Sequence, residues 1–211
     1  MPGEAPSLTG GYCERLRLPA GSGGPLALLL LCGTLQFLQA FFPDVFLYER
    51  TAIASGQWWR LLSGHLVHTN MAHLLLNMVG VFALWLLFGR SALLGSGHSA
   101  VKYLGLVALL SLMISLGLWL YFPAVDNYYG LSGALHGVFC FGAIGELYQR
   151  RWSGVLLLAG CAGKLTWEWF VGPSASTGAL IQAEVAVPSH LLGAICGSVI
   201  AALLWGISTL K

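Results

Sequence analysis

Residues 101–122 read VKYLGLVALLSLMISLGLWLYF, and one charged residue, Lys102, interrupts this apolar run. A helix needs about 20 predominantly apolar residues to cross the hydrocarbon core of a bilayer. The run is too long for a typical strand, and it lacks the alternation of polar and apolar side chains seen in membrane β-barrels. The stretch therefore predicts a transmembrane helix.

The composition extends this prediction to the whole chain of 211 residues. Hydrophobic residues make up 57% of the chain and charged residues only 9%, whereas a soluble domain carries about 25% charged residues. The net charge of +2 indicates no polyanionic partner such as a nucleic acid. These values exclude an ordinary cytosolic domain, a disordered protein and a nucleic-acid binder, and they favour an integral membrane protein in the lipid bilayer.

Six segments share the length and apolar character that a membrane-spanning helix needs. They are residues 25–42, 71–88, 101–122, 132–148, 155–171 and 187–207. The sequence thus predicts an all-α polytopic protein whose six-helix bundle occupies residues 25–211. Residues 1–24 are rich in Gly, Pro and Ser and predict a flexible cytoplasmic tail. The chain has no CxxC pair and no zinc-ligand spacing, so neither a metal nor a cofactor is predicted.

Basic residues between the segments predict the orientation, because Lys and Arg concentrate on the cytoplasmic side. With six spans, seven of the ten cations fall on one side: Arg15, Arg17, Arg90, Lys102, Arg150, Arg151 and Lys211. The other side holds only Arg50 and Arg60, and Lys164 lies within the fifth segment. Both termini are therefore expected in the cytoplasm, and Trp58 and Trp59 in the outer connection are expected to anchor it at the membrane interface.

Polar residues that hydrocarbon disfavours cluster toward the outer side of three segments. His73 and Asn77 are one turn apart, so two hydrogen-bond donors share a helix face and can hold an oxyanion or pin neighbouring helices. Ser132 lies between Gly130 and Gly133 where a helix is expected to begin. It can serve as a nucleophile beside free backbone N–H groups, or simply as a helix cap.

His190 begins the last segment and can act as a general base for a nearby serine. Two pairs of glycines, each spaced four residues apart, predict a close helix–helix contact that would bring His190 beside Ser132. These glycines are Gly133, Gly137, Gly193 and Gly197. No aspartate lies near His190 in the sequence, so a Ser–His pair rather than a triad is expected.

Three motifs in this order resemble the rhomboid intramembrane serine proteases: Trp59-Arg60, Gly130-Leu131-Ser132-Gly133, and His190-x-x-Gly193 followed by Gly197. The resemblance implies Ser132 as nucleophile and His190 as general base. It also implies an oxyanion hole whose donors are His73, Asn77 and the Ser132 backbone N–H. The supporting residues it implies are His68, Arg60, Gly130, Gly133, His136 and Gly193.

His136 departs from the family pattern, because members often carry an aromatic residue at this position. This histidine, and Lys164 with Glu168 in the fifth segment, are similar to the rhombosortase branch of the family. That similarity implies a bacterial inner membrane, an active site facing the periplasm, and membrane-anchored substrates with C-terminal Gly-Gly, transmembrane and basic tails. His136 either packs on His190, or serves as a second base or substrate contact. Lys164 and Glu168 form either a structural ion pair or a reader of the substrate tail.

Two other classes of protein remain as alternatives. A non-catalytic rhomboid-like protein that binds membrane segments predicts damage at Ser132 or His190, and both are present. A metal transporter predicts that histidines converge as ligands, namely His65, His68, His73 and His190. Stoichiometric metal in the purified protein would count against the protease. His65 is expected to be incidental and His98 to lie in a cytoplasmic loop, and the sequence leaves hydrolysis and transfer to an amine equally open.

Overall fold

The computed structural model describes residues 21–89 and 99–209. Several sequence predictions fall outside the described residues, namely the tail up to residue 20 and the positions of Arg15, Arg17, Arg90, His98 and Lys211. The first long helix begins at Gly23, two residues before the predicted start at residue 25. The predicted orientation, which depends on those cations, therefore stays a prediction.

Six long helices occupy the six predicted segments. They are α1 (Gly23–Gln39), α4 (Met71–Phe88), α5 (Ser99–Tyr121), α6 (Ser132–Tyr148), α7 (Ser153–Phe170) and α9 (Val187–Thr209). Three of them, α4, α5 and α9, are long and apolar enough by themselves to cross a membrane. Helices α1 and α6 have only 17 residues each, and α7 carries Lys164 and Glu168. The chain is a multi-pass helical membrane protein, and the number of six spans remains a prediction.

Short elements fill the connections. They are β1 (Tyr48–Glu49), α2 (Arg50–Ala54), α3 (Arg60–Ser63), β2 (Asn127–Tyr128) and α8 (Ala175–Ile181). The two strands pair antiparallel with Tyr48 opposite Tyr128, and the backbone N–H of Gly130 donates to the carbonyl of Gly64 over 3.0 Å. The first connection thereby holds the turn that leads into α6.

Arg60 ties the first connection together from a buried position. Its guanidinium donates to the carbonyls of Asp44 and Leu47 over 2.6 and 2.8 Å, and to the side-chain oxygen of Gln57 over 2.8 Å. A planar group with five donors suits several carbonyls at once. The neighbouring Trp59 is exposed, as an interface anchor requires, and its indole N–H donates to the carbonyl of Val45.

Helix α6 lies at the centre of the bundle, where it contacts α4, α5, α7 and α9. Its contact with α9 is the most extensive, because glycines on the two helices face each other. A Cβ atom at Gly193 would overlap the carbonyl oxygen of Gly133, and one at Gly197 would overlap that of Gly137. The close helix–helix contact predicted from these glycines is confirmed, and it brings the beginnings of α6 and α9 together.

Candidate active site

Ser132 is the first residue of α6, directly after a tight turn at Gly130. Gly130 has φ of +96°, and a Cβ there would lie 2.6 Å from Nε2 of His73, so a side chain is excluded on both counts. The residue in the cap position is Leu131, without a side-chain hydrogen bond. Ser132 is therefore not a helix cap, and its hydroxyl is available for another partner.

That partner is His190, in the first turn of α9. The Ser132 hydroxyl lies 2.9 Å from Nε2 of His190, and the His190 side chain is buried. The imidazole of His136 stacks on that of His190, with ring centres 4.2 Å apart and planes 20° apart. This is the packing on His190 that the sequence predicted as one of the roles of His136.

His136 is also held by two hydrogen bonds that fix where its proton lies. Its Nδ1 donates to the backbone carbonyl of Ser132 over 2.8 Å, since a carbonyl can only accept. Its Nε2 then accepts from the ammonium group of Lys164 over 3.2 Å. Lys164 also donates to Glu168 over 2.6 Å, so the ion pair predicted one turn apart on α7 is present.

Glu168 is the site residue that the sequence did not reveal. Its second carboxylate oxygen lies 3.0 Å from Nδ1 of His190. The sequence did not predict this contact, because the expected Ser–His pair considered only residues near His190 in the sequence. Glu168 is 22 positions away, on another helix, and its spacing from Lys164 was the one signal that pointed to it.

His73 and Asn77 line the space in front of Ser132 from α4. The Asn77 amide donates one N–H to the carbonyl of His73 over 3.1 Å and has a second N–H for a ligand. Thr69 donates its hydroxyl proton to the carbonyl of Ile181 over 2.6 Å, so it accepts from Nδ1 of His73 over 3.1 Å. Neutral His73 thus presents Nε2 as an acceptor, and it becomes a donor there only when protonated.

The remaining histidines of the first connection are buried supports. His65 donates from Nε2 to the hydroxyl of Ser115 over 3.0 Å, and His68 packs edge-on against His73 with ring centres 5.0 Å apart. Burial lowers the pKa of His65 and of His68 to about 3. Both are therefore neutral at physiological pH. His65, expected to be incidental, is a buried hydrogen-bonding residue of the core.

A metal site of the kind a transporter needs is not assembled from the four histidines proposed for it. Within the described ranges, the group that could hold an ion is His136, Glu168 and His190, with ligand atoms within 4.8 Å of one another. However, His136 Nε2 accepts from Lys164, and Glu168 accepts from Lys164 and His190. An ammonium group occupying this position disfavours a cation.

Two cavities meet at Ser132. The larger, of about 500 Å³, lies between α4, α6 and α7 and is lined mainly by apolar side chains, with His73, Asn77, Ser132 and His190 at one end. The smaller, of about 220 Å³, lies among the connections and is the more polar of the two, with Thr69, Tyr129 and Glu184 in its lining beside apolar residues such as Ile181 and Val185. The serine hydroxyl therefore lies between an apolar space inside the bundle and a polar space among the connections.

The fold and these contacts define a class, the polytopic helical membrane proteins with a serine beside a histidine in the bundle. Residues 55–207 match the model of the Rhomboid domain. The chain belongs to the rhomboid family, whose members are generally intramembrane serine proteases. A stretch of 87 residues is 30% identical to "Putative rhomboid protease YdcA" of Bacillus subtilis (strain 168). That stretch covers 41% of this chain and 41% of the relative.

Proposed function

We propose that this protein is an intramembrane serine endopeptidase that uses Ser132 as nucleophile and His190 as general base. The observation that carries the proposal is the 2.9 Å contact between the Ser132 hydroxyl and Nε2 of His190. A serine is a weak nucleophile unless an adjacent base accepts its proton. The contact lies at one end of an apolar cavity, where a substrate's membrane segment can bind.

The reaction begins when His190 accepts the Ser132 proton as the serine oxygen attacks the scissile carbonyl. The oxyanion that forms is held by Asn77 and the backbone N–H of Ser132, a donor that lacks an acceptor within its own helix. His73 adds a third donor when its Nε2 is protonated. His190 then gives its proton to the leaving amine, and water from the polar cavity hydrolyses the acyl-enzyme.

We further propose a rhombosortase-like role, with the site facing the periplasm of a bacterial inner membrane and both termini in the cytoplasm. The substrates would be membrane-anchored proteins with a C-terminal Gly-Gly, transmembrane and basic tail. His136 against His190, and Lys164 with Glu168 beside them, support this assignment. A Gly-Gly bond suits the site because glycine readily leaves a helix. If an amine replaces water, the same acyl-enzyme gives a transfer product.

A processing assay in the native membrane tests the proposal. A reporter protein ending in Gly-Gly, an apolar helix and an Arg-rich tail is co-expressed with the wild type, with Ser132→Ala or with His190→Ala. The wild type alone is expected to remove the tail. Mass spectrometry of the product then distinguishes hydrolysis from transfer, because an attached amine adds mass to the new C-terminus.

The outcomes separate the parts of the proposal. An intact reporter with all three proteins contradicts the Gly-Gly tail as substrate. Processing that survives Ser132→Ala contradicts the serine mechanism itself. A wild type that binds the reporter but never cleaves it would identify a membrane-segment binder rather than a protease.

A further inference from the structure

Glu168 is more buried, and has more partners, than a simple ion pair on a solvated surface needs. It lies on α7 with its side chain only 12% exposed, and its two carboxylate oxygens have different partners. One accepts from Lys164 over 2.6 Å and the other from Nδ1 of His190 over 3.0 Å. A carboxylate is thus fixed between the ammonium group of Lys164 and the histidine that faces Ser132.

The contact determines which nitrogen of His190 carries the proton. A carboxylate can only accept, so Nδ1 of His190 is the N–H and Nε2 has a free lone pair. That lone pair faces the Ser132 hydroxyl at 2.9 Å. This is the tautomer that a general base needs, and a carboxylate on Nδ1 is what holds it in serine hydrolases.

Lys164 holds the Glu168 carboxylate in place by donating to the oxygen that does not face His190. Its ammonium group also donates to Nε2 of His136, whose Nδ1 donates to the carbonyl of Ser132. His136 therefore has no lone pair left for the Ser132 hydroxyl. Of the two stacked imidazoles, only His190 can take the serine proton.

We infer that Glu168 is the third member of a Ser132–His190–Glu168 triad, and that Lys164 and His136 hold this triad in register. The inference rests on the proposed function and deepens it. The proton moves from Ser132 to Nε2 of His190 and later to the leaving amine, while Glu168 stays ionised. Glu168 is a positioning residue, since it acts through His190 by fixing its tautomer and stabilising the imidazolium.

The test uses the full-length protein in detergent and a fluorophosphonate probe, which phosphonylates an activated serine and releases fluoride. Three variants are compared with the wild type: Glu168→Gln, Glu168→Asp and Glu168→Ala. The control is Glu146→Gln, because Glu146 also pairs with a cation, Arg151 in the connection after α6, but lies 14 residues along α6 from Ser132. The maximal rate of labelling and the probe concentration at half that rate are measured separately.

Glu168→Gln is expected to lower the maximal labelling rate by ~10²- to 10⁴-fold with little change in half-saturation, because the glutamine amide favours the wrong tautomer of His190. Glu168→Asp keeps the charge and is expected to retain more activity than Glu168→Gln. Sodium formate is expected to raise labelling of Glu168→Ala at least tenfold, and sodium chloride at equal ionic strength is not. A structural role would not respond to a small carboxylate in this way.

The outcomes are distinguishable. Labelling of Glu168→Gln within threefold of the wild type, or an equal response of Glu168→Ala to formate and chloride, overturns the triad and leaves the Ser–His pair standing. A wild type that is folded but is not labelled on Ser132 overturns the proposed function, and the triad with it. A loss of melting temperature in Glu168→Gln without a lower labelling rate assigns Glu168 to structure alone.

Discussion

The hydrogen bonds around Ser132 leave each neighbouring imidazole with one tautomer. His190 has its proton on Nδ1 toward Glu168, His136 has it on Nδ1 toward the Ser132 carbonyl, and His73 has it on Nδ1 toward Thr69. Only His190 directs its free lone pair at the serine hydroxyl. The proposal that His136 is a second base for Ser132 is therefore not supported by the contacts.

Asn77 is expected to stabilise the transition state rather than the bound substrate. Asn77→Ala should lower kcat by ~10²- to 10³-fold with KM nearly unchanged, because its free N–H meets the oxygen only when that oxygen becomes an anion. Initial rates of reporter cleavage over a range of substrate concentrations measure both constants. An unchanged kcat would remove Asn77 from the oxyanion hole.

The buried histidines of the first connection are expected to make stability depend on pH. Burial holds the pKa of His65 at about 3, below the ordinary value of 6.5. Below pH 6.5 His65 binds a proton in the unfolded chain, whereas in the folded chain it stays neutral down to about pH 3. Its contribution to the free energy of unfolding is therefore fully present above pH 6.5 and decreases as the pH drops from 6.5 toward 3. The melting temperature should decrease over this window and stay flat above it.

His65→Gln provides the comparison for this pH effect. Its amide can still donate to Ser115, and it does not titrate. The variant should show a shallower loss of melting temperature between pH 6.5 and 4 than the wild type. Parallel curves for the two proteins would show that His65 does not contribute to the acid sensitivity.

Local motifs were enough to find some of these residues and not others. Ser132 and His190 lie in short patterns whose glycines are required by their own backbone or helix contact, so the sequence alone indicated them. Glu168 has no such pattern around it. Its role depends on how α7 is turned against α9, which is a property of packing between helices and not of local sequence.

At the scale of elements, the contact between α6 and α9 positions the site. Its four facing glycines place backbone against backbone, so the first turns of the two helices lie side by side. Helices that pack in lipid gain most from van der Waals contact, and small residues permit it. The separation of Ser132 from His190 is therefore determined by glycines as much as by the two catalytic side chains.

Gly197→Ala tests the helix contact away from the chemistry. Its Cβ would overlap the carbonyl oxygen of Gly137, a backbone atom that cannot turn aside. We expect the free energy of unfolding to decrease by ~1–3 kcal/mol, which would be measured as a lower melting temperature in detergent. Gly105→Ala, where a Cβ would meet nothing within 4 Å, should not lower it. Equal melting temperatures for the two variants would contradict the account.

The helices α4, α5 and α9 follow from the sequence because a helix that crosses the bilayer needs about 20 predominantly apolar residues. The short elements do not. The two-residue strands β1 and β2 and the helix α3 form because the connections before α4 and before α6 pack on each other. Arg60 supplies donors to carbonyls that have no partner in a regular helix or sheet. The residues that pair between the two connections, such as Tyr48 and Tyr128, are far apart in the chain, so no local pattern predicts their contact.

At the scale of the whole molecule, the two cavities at Ser132 suit the two reactants of proteolysis in a membrane, which are the substrate segment and water. The apolar cavity between α4 and α7 suits a substrate's membrane segment. The polar cavity among the connections suits the water that completes hydrolysis. The acyl-enzyme would form where the two spaces meet.

Ala83→Phe tests whether substrate reaches Ser132 through the larger cavity. Ala83 lines that cavity on α4, so a bulky side chain should raise KM for the membrane reporter. Labelling of Ser132 by the small fluorophosphonate should change little. Val79→Phe, an exposed position on the same helix that does not line this cavity, is the control and should leave both readouts near the wild-type values. Equal effects of the two variants would place substrate access elsewhere.

The most direct test of the account is to map the residue that the fluorophosphonate modifies in the full-length protein in its membrane. Tandem mass spectrometry should find one phosphonyl group, on Ser132, in the wild type and almost none in His190→Ala. A modification on another residue, or equal modification of Ser132 without His190, would contradict the claim that this serine is activated by this histidine.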